Sequence, residues 1–295
     1  MSKQGCKLTV GHALKEAVHR FQIAGIQKPE VDARWLMAHL LGCSVTEILF
    51  LQQEPLSEEM LKTWEEMVEQ RCLRRPLAYI VGSWDFMGLR LKVDERVMIP
   101  RQETEELVEH FIAKLCSKRF EQLSIADVGT GSGAIAIALA VYFTNALIFA
   151  IDISDEALQL AKENAKAHGV DKRITFVCGS LLEALEGIVQ RGSLSAVIAN
   201  LPYVAEHEVA MLPPEVLNYE PKSSWYGGID GLCYIRELLN QAHDWLCAGG
   251  LLALEVGHNH ADHVLKLLEA LGRYKQAEVL KDSAGIKRFV FAQRR

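Results

Sequence analysis

A glycine-rich turn, Asp127-Val128-Gly129-Thr130-Gly131-Ser132-Gly133, joins two strongly apolar segments of unlike character. Leu123 to Val128 has the length of a buried strand, and Gly133 to Phe143 is apolar for the length of a short helix. A strand that passes through glycines straight into a helix opens a strand–helix–strand unit, because a parallel partner is reached only by a crossover. Glycines there allow a tight turn and let a ligand approach the backbone. Alone the signal is weak: with Ala134 at the third small position it also fits a dinucleotide-binding pattern.

The same alternation continues on both sides. Helices are expected over 103–115, 156–168, 235–246 and 263–271, and strands over 147–151, 174–178, 195–199 and 251–256. Such a run gives an α/β fold with a mostly parallel sheet covered on both faces. Two last strands, 278–280 and 288–292, have no helix between them and read as an antiparallel edge hairpin.

The first 75 residues differ: Leu14, Ala17, Val18 and Phe21 recur at helical spacing. Pro29 opens a second helix carrying Val31, Trp35, Leu36 and Leu40 as core, closed by Gly42. Ser57 caps a third with Leu61, Trp64, Val68 and Cys72 on one face. Arg71-Cys72-Leu73-Arg74-Arg75 reads as a helix C-terminus complementing the dipole. Residues 77–99 are rich in strand formers broken by Gly82 and Gly88, and read as a hairpin. The expected organisation is a helical docking domain over 1–75, a hairpin linker over 76–100 and a ligand-binding domain over 101–295.

The net charge of −6 argues against a general nucleic-acid coat. Seven scattered cysteines without a Cys-x-x-Cys pair, and an amino terminus without an apolar signal core, point to a reducing, cytoplasmic setting.

Two strand ends carry the chemistry. Asp152 ends the strand after the glycine turn, where an acid accepts hydrogen bonds from both ribose hydroxyls of an adenosine-bearing cofactor. Asp127 either orients the glycine loop or contacts the amino-acid end of the cofactor. Asn200-Leu201-Pro202-Tyr203 follows the apolar run 196–199. An amide, a proline and an aromatic ring there form a cradle for a planar NH2 group. Nicotinamide cofactors and S-adenosylmethionine both carry the ribose, but only methyl transfer to nitrogen has use for such a cradle.

With these motifs the chain closely resembles the HemK/PrmC peptide chain release factor glutamine N5-methyltransferases. The resemblance runs through Arg75-Pro76-Leu77-Ala78-Tyr79-Ile80-Val81-Gly82, Ile99-Pro100-Arg101-Gln102-Glu103-Thr104-Glu105, 127–137, Ile151-Asp152 and 200–203. It continues through Tyr219-Glu220-Pro221, Gly227-Gly228-Ile229-Asp230-Gly231-Leu232, Glu255-Val256-Gly257 and Asp282-Ser283-Ala284-Gly285. It implies a Rossmann-like, seven-stranded class I methyltransferase domain behind a small helical bundle and a hairpin linker. It implies S-adenosylmethionine as cofactor, held by Asp127, Gly129, Thr130, Gly131, Ser132, Gly133, Asp152, Ser180, Leu181 and Asn200. The implied substrate is the glutamine of the Gly-Gly-Gln loop of class-1 release factors, met by a monomer with no direct nucleic-acid or membrane partner. One departure stands out: the family has Asn-Pro-Pro-Tyr, whereas Asn-Leu-Pro-Tyr resembles the motif of ribosomal RNA adenine dimethyltransferases, so an adenine N6-methyltransferase is the alternative.

The expected roles follow. The Asn200 side-chain oxygen and the Leu201 carbonyl accept the two N–H groups of the substrate amide; Pro202 holds the turn and Tyr203 forms a wall. Leu201 gives up the ring rigidity of proline, so a more mobile turn and lower turnover are expected. Arg101, Glu103 and Glu105 read equally as substrate-pocket residues or, for the two acids, as complements of a helix dipole. Residues 220–231 read as a mobile surface loop that closes over substrate, and His258, His260 and His263 as a solvated loop rather than a metal site.

Overall fold

The computed structural model describes residues 8–119 and 121–295. Cys6 and the start of the segment read as leaderless lie outside the described residues. The chain forms two compact units, one up to Gly82 together with Pro213–Tyr219, the other Ser83–Leu212 with Glu220–Arg295.

The first unit begins with α1 (Val10–Ile23), whose N-cap Thr9 accepts from the His12 N–H. Helix α2 (Pro29–Leu41) starts on proline and stops at Gly42, whose φ of 63° is left-handed. Ser57 caps α3 (Glu58–Cys72) by accepting from the Met60 N–H. Phe21, Leu36, Met37, Trp64 and Val68 pack together in its core. The face of α2 is rotated from the sequence expectation: Val31 and Trp35 are exposed while Ala33, Leu36 and Met37 are buried. The 3.6-residue period continued from Pro29 selects 33, 36 and 37, and Val31 and Trp35 fall on the other side.

The basic run at the end of α3 is also not a solvated cap. Arg71 is buried and donates to Asp32 at 2.7 Å and to Glu215 at 3.0 Å. Arg74 donates to the same Glu215 carboxylate at 2.8 and 2.7 Å. Glu215 enters from the helix Pro214–Tyr219, far along the chain, so local sequence gave no sign of the pairing. Leu77–Val81 is a helix, α4, rather than strand. Pro76 before it and the left-handed Gly82 after it bracket one turn that buries Ala78 and Tyr79, and this overrides the strand preference of Tyr79, Ile80 and Val81.

In the second unit, β1 (Ser83–Phe86) and β2 (Leu89–Lys92) form a tight antiparallel hairpin. The two turn residues Met87 and Gly88 both have positive φ, as a two-residue hairpin turn requires. Helix α5 (Gln102–Leu115) precedes β3 (Ser124–Val128), α6 (Ala134–Tyr142), β4 (Leu147–Asp152), α7 (Asp155–Ala167), β5 (Ile174–Cys178) and β6 (Leu194–Asn200). After α8 (Pro214–Tyr219), which belongs to the first unit, come α9 (Cys233–Trp245), β7 (Leu246–Glu255), α10 (Ala261–Leu271), β8 (Tyr274–Lys281) and β9 (Lys287–Arg294).

The seven strands lie in the order β5-β4-β3-β6-β7-β9-β8. Strands β3 to β7 pair in parallel, and β9 is antiparallel to both neighbours. The edge hairpin is therefore present, with its second strand inserted next to β7. Alternate residues feed two cores: Ala196 and Ile198 of β6 pack on one face, Val197 and Ala199 on the other. This double burial makes the strand a continuous apolar run. The order reverses between β3 and β6, since β4 and β5 extend to one side and β6 to the other. That switch point is where open α/β sheets leave a crevice beyond their carboxyl ends.

Candidate active site

The crevice is a cleft lined by Gly129, Thr130, Gly131 and Ser132 after β3, Asp152, Ile153 and Ser154 after β4, and Asn200 and Pro202 after β6. Arg96, Val97, Met98, Pro100 and Thr104, with Pro221, Ser223 and Ser224, close the other walls.

On the β3–β4 side the backbone does most of the positioning. The N–H groups of Gly129 and Thr130 both donate to the Ile151 carbonyl at 2.9 Å, which folds the loop over the end of β4. Gly129, at φ 77°, passes so close to Leu201 that a Cβ would sit 3.2 Å from its Cδ2. The Asp152 carboxylate accepts from the Gly131 N–H at 2.9 Å on one oxygen and from the Ser154 N–H at 3.0 Å on the other. Burial raises the Asp152 pKa, and the backbone donors oppose that rise. Ser154 itself caps α7, accepting from Ala157 N–H.

Asp127 does not line the cavity. It is fully buried; its Oδ2 accepts from the Thr130 hydroxyl at 2.6 Å and the Ala136 N–H at 3.0 Å. Of its two readings, the geometry is that of a loop-orienting group. Burial pushes its pKa up to about 7, and its Oδ1 has no partner. Gly133 is also set back, with the position a Cβ would take 3.1 Å from Ala161 on α7. Ser180 and Leu181 lie outside the cavity lining; Leu181 is buried in the core at a positive φ of 48°.

On the β6 side long-range side-chain contacts do the positioning. Asn200 Nδ2 donates to Thr104 Oγ1 at 3.0 Å, and the Thr104 hydroxyl donates to Glu255 Oε2 at 2.7 Å. Glu255 stands beside Asn200 in the β6–β7 register. Its other oxygen accepts from the Tyr203 hydroxyl at 3.3 Å. Burial raises Glu255 to about 7 against the pull of the Thr104 hydrogen bond and of Arg288. Tyr203 is held in this network and does not line the cavity. Its phenol is pushed well up, chiefly by burial.

Leu201 is buried, and its side chain joins the core beneath the glycine loop. Its side chain contributes packing, a role the sequence reading does not assign to it. Arg101 donates to Glu220 at 2.5 Å, and the Glu220 side chain is only 1% exposed. Burial raises the Glu220 pKa, which Arg101 counteracts. Glu105 accepts from the Met87 N–H at 2.6 Å, fixing the hairpin turn, and Glu103 sits in the first turn of α5 outside the cavity lining.

Residues 220–231 are partly packed and partly at the surface: Val204 bridges Tyr226, Trp225 is buried, and a Cβ on Gly227 would lie 2.6 Å from the Pro202 carbonyl, whereas Ile229 is exposed. The glycines serve close packing beneath the 200–203 turn. His260 is likewise buried against Gly231 and Gly257 rather than solvated, and burial lowers its pKa.

Residues 12–82 match the family model described as the PrmC N-terminal domain, and 120–257 match a methyltransferase domain. The chain is 38% identical to the release factor glutamine methyltransferase of Moorella thermoacetica, over 98% of this chain and 99% of that protein. It is also 38% identical to that of Deinococcus radiodurans, over 95% and 97%. This chain belongs to the release factor glutamine methyltransferase family. Solved structures show the same fold. The hMettl16 catalytic domain, in complex with MAT2A 3'UTR hairpin 6, superposes with a TM-score of 0.55 at 15% identity, over 81% of this chain and 82% of that one. A methyltransferase from Pyrococcus furiosus gives 0.50 at 19% identity, over 70% and 89%.

Of the residues that the sequence singles out, Gly129, Thr130, Gly131, Ser132, Asp152, Asn200 and Pro202 are brought together around one cavity. Missed were Arg96, Val97, Met98 and Thr104, and Ser223 and Ser224. Thr104 lay inside a quoted motif, but only its 3.0 Å contact with Asn200 reveals a reason to single it out.

Proposed function

We propose that this protein transfers a methyl group from S-adenosylmethionine to the side-chain amide nitrogen of the glutamine in the Gly-Gly-Gln loop of class-1 release factors. The observation that carries it is a single cavity with a ribose-type acceptor, Asp152, at one strand end and an amide, Asn200, at the next strand but one. The residues fit the cofactor: the Asp152 carboxylate lines the cavity as an acceptor, and the loop at Gly129 and Gly131 presents bare backbone at positive φ. When bound, the cofactor supplies an electrophilic methyl on a sulfonium sulfur. Asn200 accepts one N–H of the substrate amide and the Leu201 carbonyl the other. Two acceptors orient a weakly nucleophilic nitrogen and stabilise the positive charge that develops on it.

The adenine alternative is not favoured. Relatives matched over nearly the whole length carry the release factor name, including one of 34% identity from Bacillus cereus, despite Leu201. No helix among the described residues is long and apolar enough to cross a membrane. The test is methyl transfer from labelled S-adenosylmethionine to a release factor, its Gly-Gly-Gln Gln→Ala variant, and ribosomal RNA. Label on the factor alone is expected; label on RNA, or on the Ala variant, would overturn the proposal.

A further inference from the structure

We infer that Thr104 and Glu255 are positioning residues that decide which end of the Asn200 amide faces the cavity. The inference rests on the reading of Asn200 as an acceptor for substrate N–H.

Glu255 is 1% exposed, and as a carboxylate it can only accept. Thr104 is 4% exposed and has one hydroxyl proton, which goes to Glu255 Oε2 at 2.7 Å. The lone pairs of Thr104 are then all that Asn200 meets, so Asn200 must turn its NH2 group towards Thr104, as the 3.0 Å contact shows. The Oδ1 atom is left for the cavity, which is the atom that can accept a substrate N–H. With a neutral group at 255 the order can reverse. Thr104 then donates to Asn200 Oδ1, the amide turns over, and its NH2 faces the NH2 of the substrate.

The setting of Glu255 supports this. A buried carboxylate is costly, and an apolar residue at the end of β7 would cost less. The charged and titratable groups facing it are Glu103 on α5, Tyr203 beyond β6 and Arg288 on β9. Arg288 makes its 2.8 Å ion pair with Asp282, so Glu255 is left with two hydroxyl donors, Thr104 and Tyr203. Its pKa of about 7 places the carboxylate-to-acid change within reach of an ordinary pH profile.

The experiment measures single-turnover methylation of a purified release factor from about pH 6 to 9, with cofactor affinity and Tm, for wild type, Thr104→Val, Thr104→Ser, Glu255→Gln and the Thr104→Val/Glu255→Gln double variant. Thr104→Val and Glu255→Gln are expected to slow transfer about 10- to 100-fold while cofactor affinity changes less than about threefold. Thr104→Ser restores the rate. The double variant is no slower than the slower single one, since both act through one amide. The wild-type rate falls below about pH 7, and Thr104→Val loses that dependence.

Rates for Thr104→Val and Glu255→Gln within about twofold of wild type would overturn the inference, as would a double variant whose loss is the product of the two. If wild type binds cofactor but leaves the release factor unlabelled, the substrate reading fails, and the network is still tested by Tm. Glu255→Gln is expected to raise Tm more at about pH 8.5 than at about pH 5.5. A lower Tm at both would mark Glu255 as a structural fixture and overturn the inference.

Discussion

On the β4 side of the cavity, Asp152 is held by backbone N–H groups two and 21 residues away in the chain. On the β6 side, Asn200 reaches Thr104 across 96 residues, and Thr104 reaches Glu255 across 151. The first arrangement needs only a strand end and a glycine turn, so few side chains can disturb it. The second is a buried side-chain network in which each partner fixes the next, and losing one member leaves a polar group unsatisfied. A cofactor common to many reactions can be held by the first kind of wall, whereas the orientation of one substrate amide needs the second.

Substitutions on the two sides should separate cleanly. Asn200→Ala is expected to lower the transfer rate about 10³-fold, comparable to losing one group that stabilises transition-state charge. Cofactor affinity, measured by calorimetry, should stay within about threefold. Asp152→Ala should do the reverse: affinity falls about 100-fold, as for lost hydrogen bonds to a charged group, with a smaller effect on the rate at saturating cofactor. Loss of both properties in either variant would dissolve the distinction between the sides.

The same difference decides what could be read from the sequence. The glycine turn, Asp152 and the capping Ser154 are local, and their spacing carries them. The antiparallel edge is legible too, because no helix separates the last two strands, but the pairing of β9 rather than β8 with β7 is not. Tyr203 was expected as a wall of the cavity and instead donates to Glu255, and Arg101 meets Glu220 across 119 residues. Such pairs exist only once the sheet has brought β6, β7 and α5 together. The glycines of 227–231 misled for the same reason: glycine marks both mobility and close approach, and only the packed neighbours distinguish them.

The packing beneath the β6 turn can be broken directly. Gly231 has φ 73°, and a Cβ there would collide with the Tyr203 carbonyl and the His260 ring. Gly231→Ala should cost about 2–3 kcal/mol of stability in denaturant unfolding and lower the rate with it. Gly131→Ala, on the β4 side, meets nothing within 4 Å and should cost only about 1 kcal/mol, from its φ of 53°. Equal losses would mean that the two sides are equally packed.

The β3–β4 side can also be probed through pH at Asp127, which is fully buried. Its folded pKa of about 7 lies above the ordinary carboxylate value of 3.8, chiefly through burial. The folded state therefore holds the proton more tightly than the unfolded chain does. The stability linked to this group is fully present below about pH 4, falls as pH rises towards about 7, and is constant above that. Asp127→Asn removes the titration but keeps an oxygen for the Thr130 hydroxyl and the Ala136 N–H. Relative to wild type, the Asn variant should gain about 2.5 kcal/mol between pH 5 and pH 8 in urea unfolding. Glu255 titrates in the same range with the same sign, but it is present in both proteins and cancels from the difference. A difference that stays flat with pH would place the Asp127 proton outside this window and leave Glu255 as the titrating acid of the cavity floor.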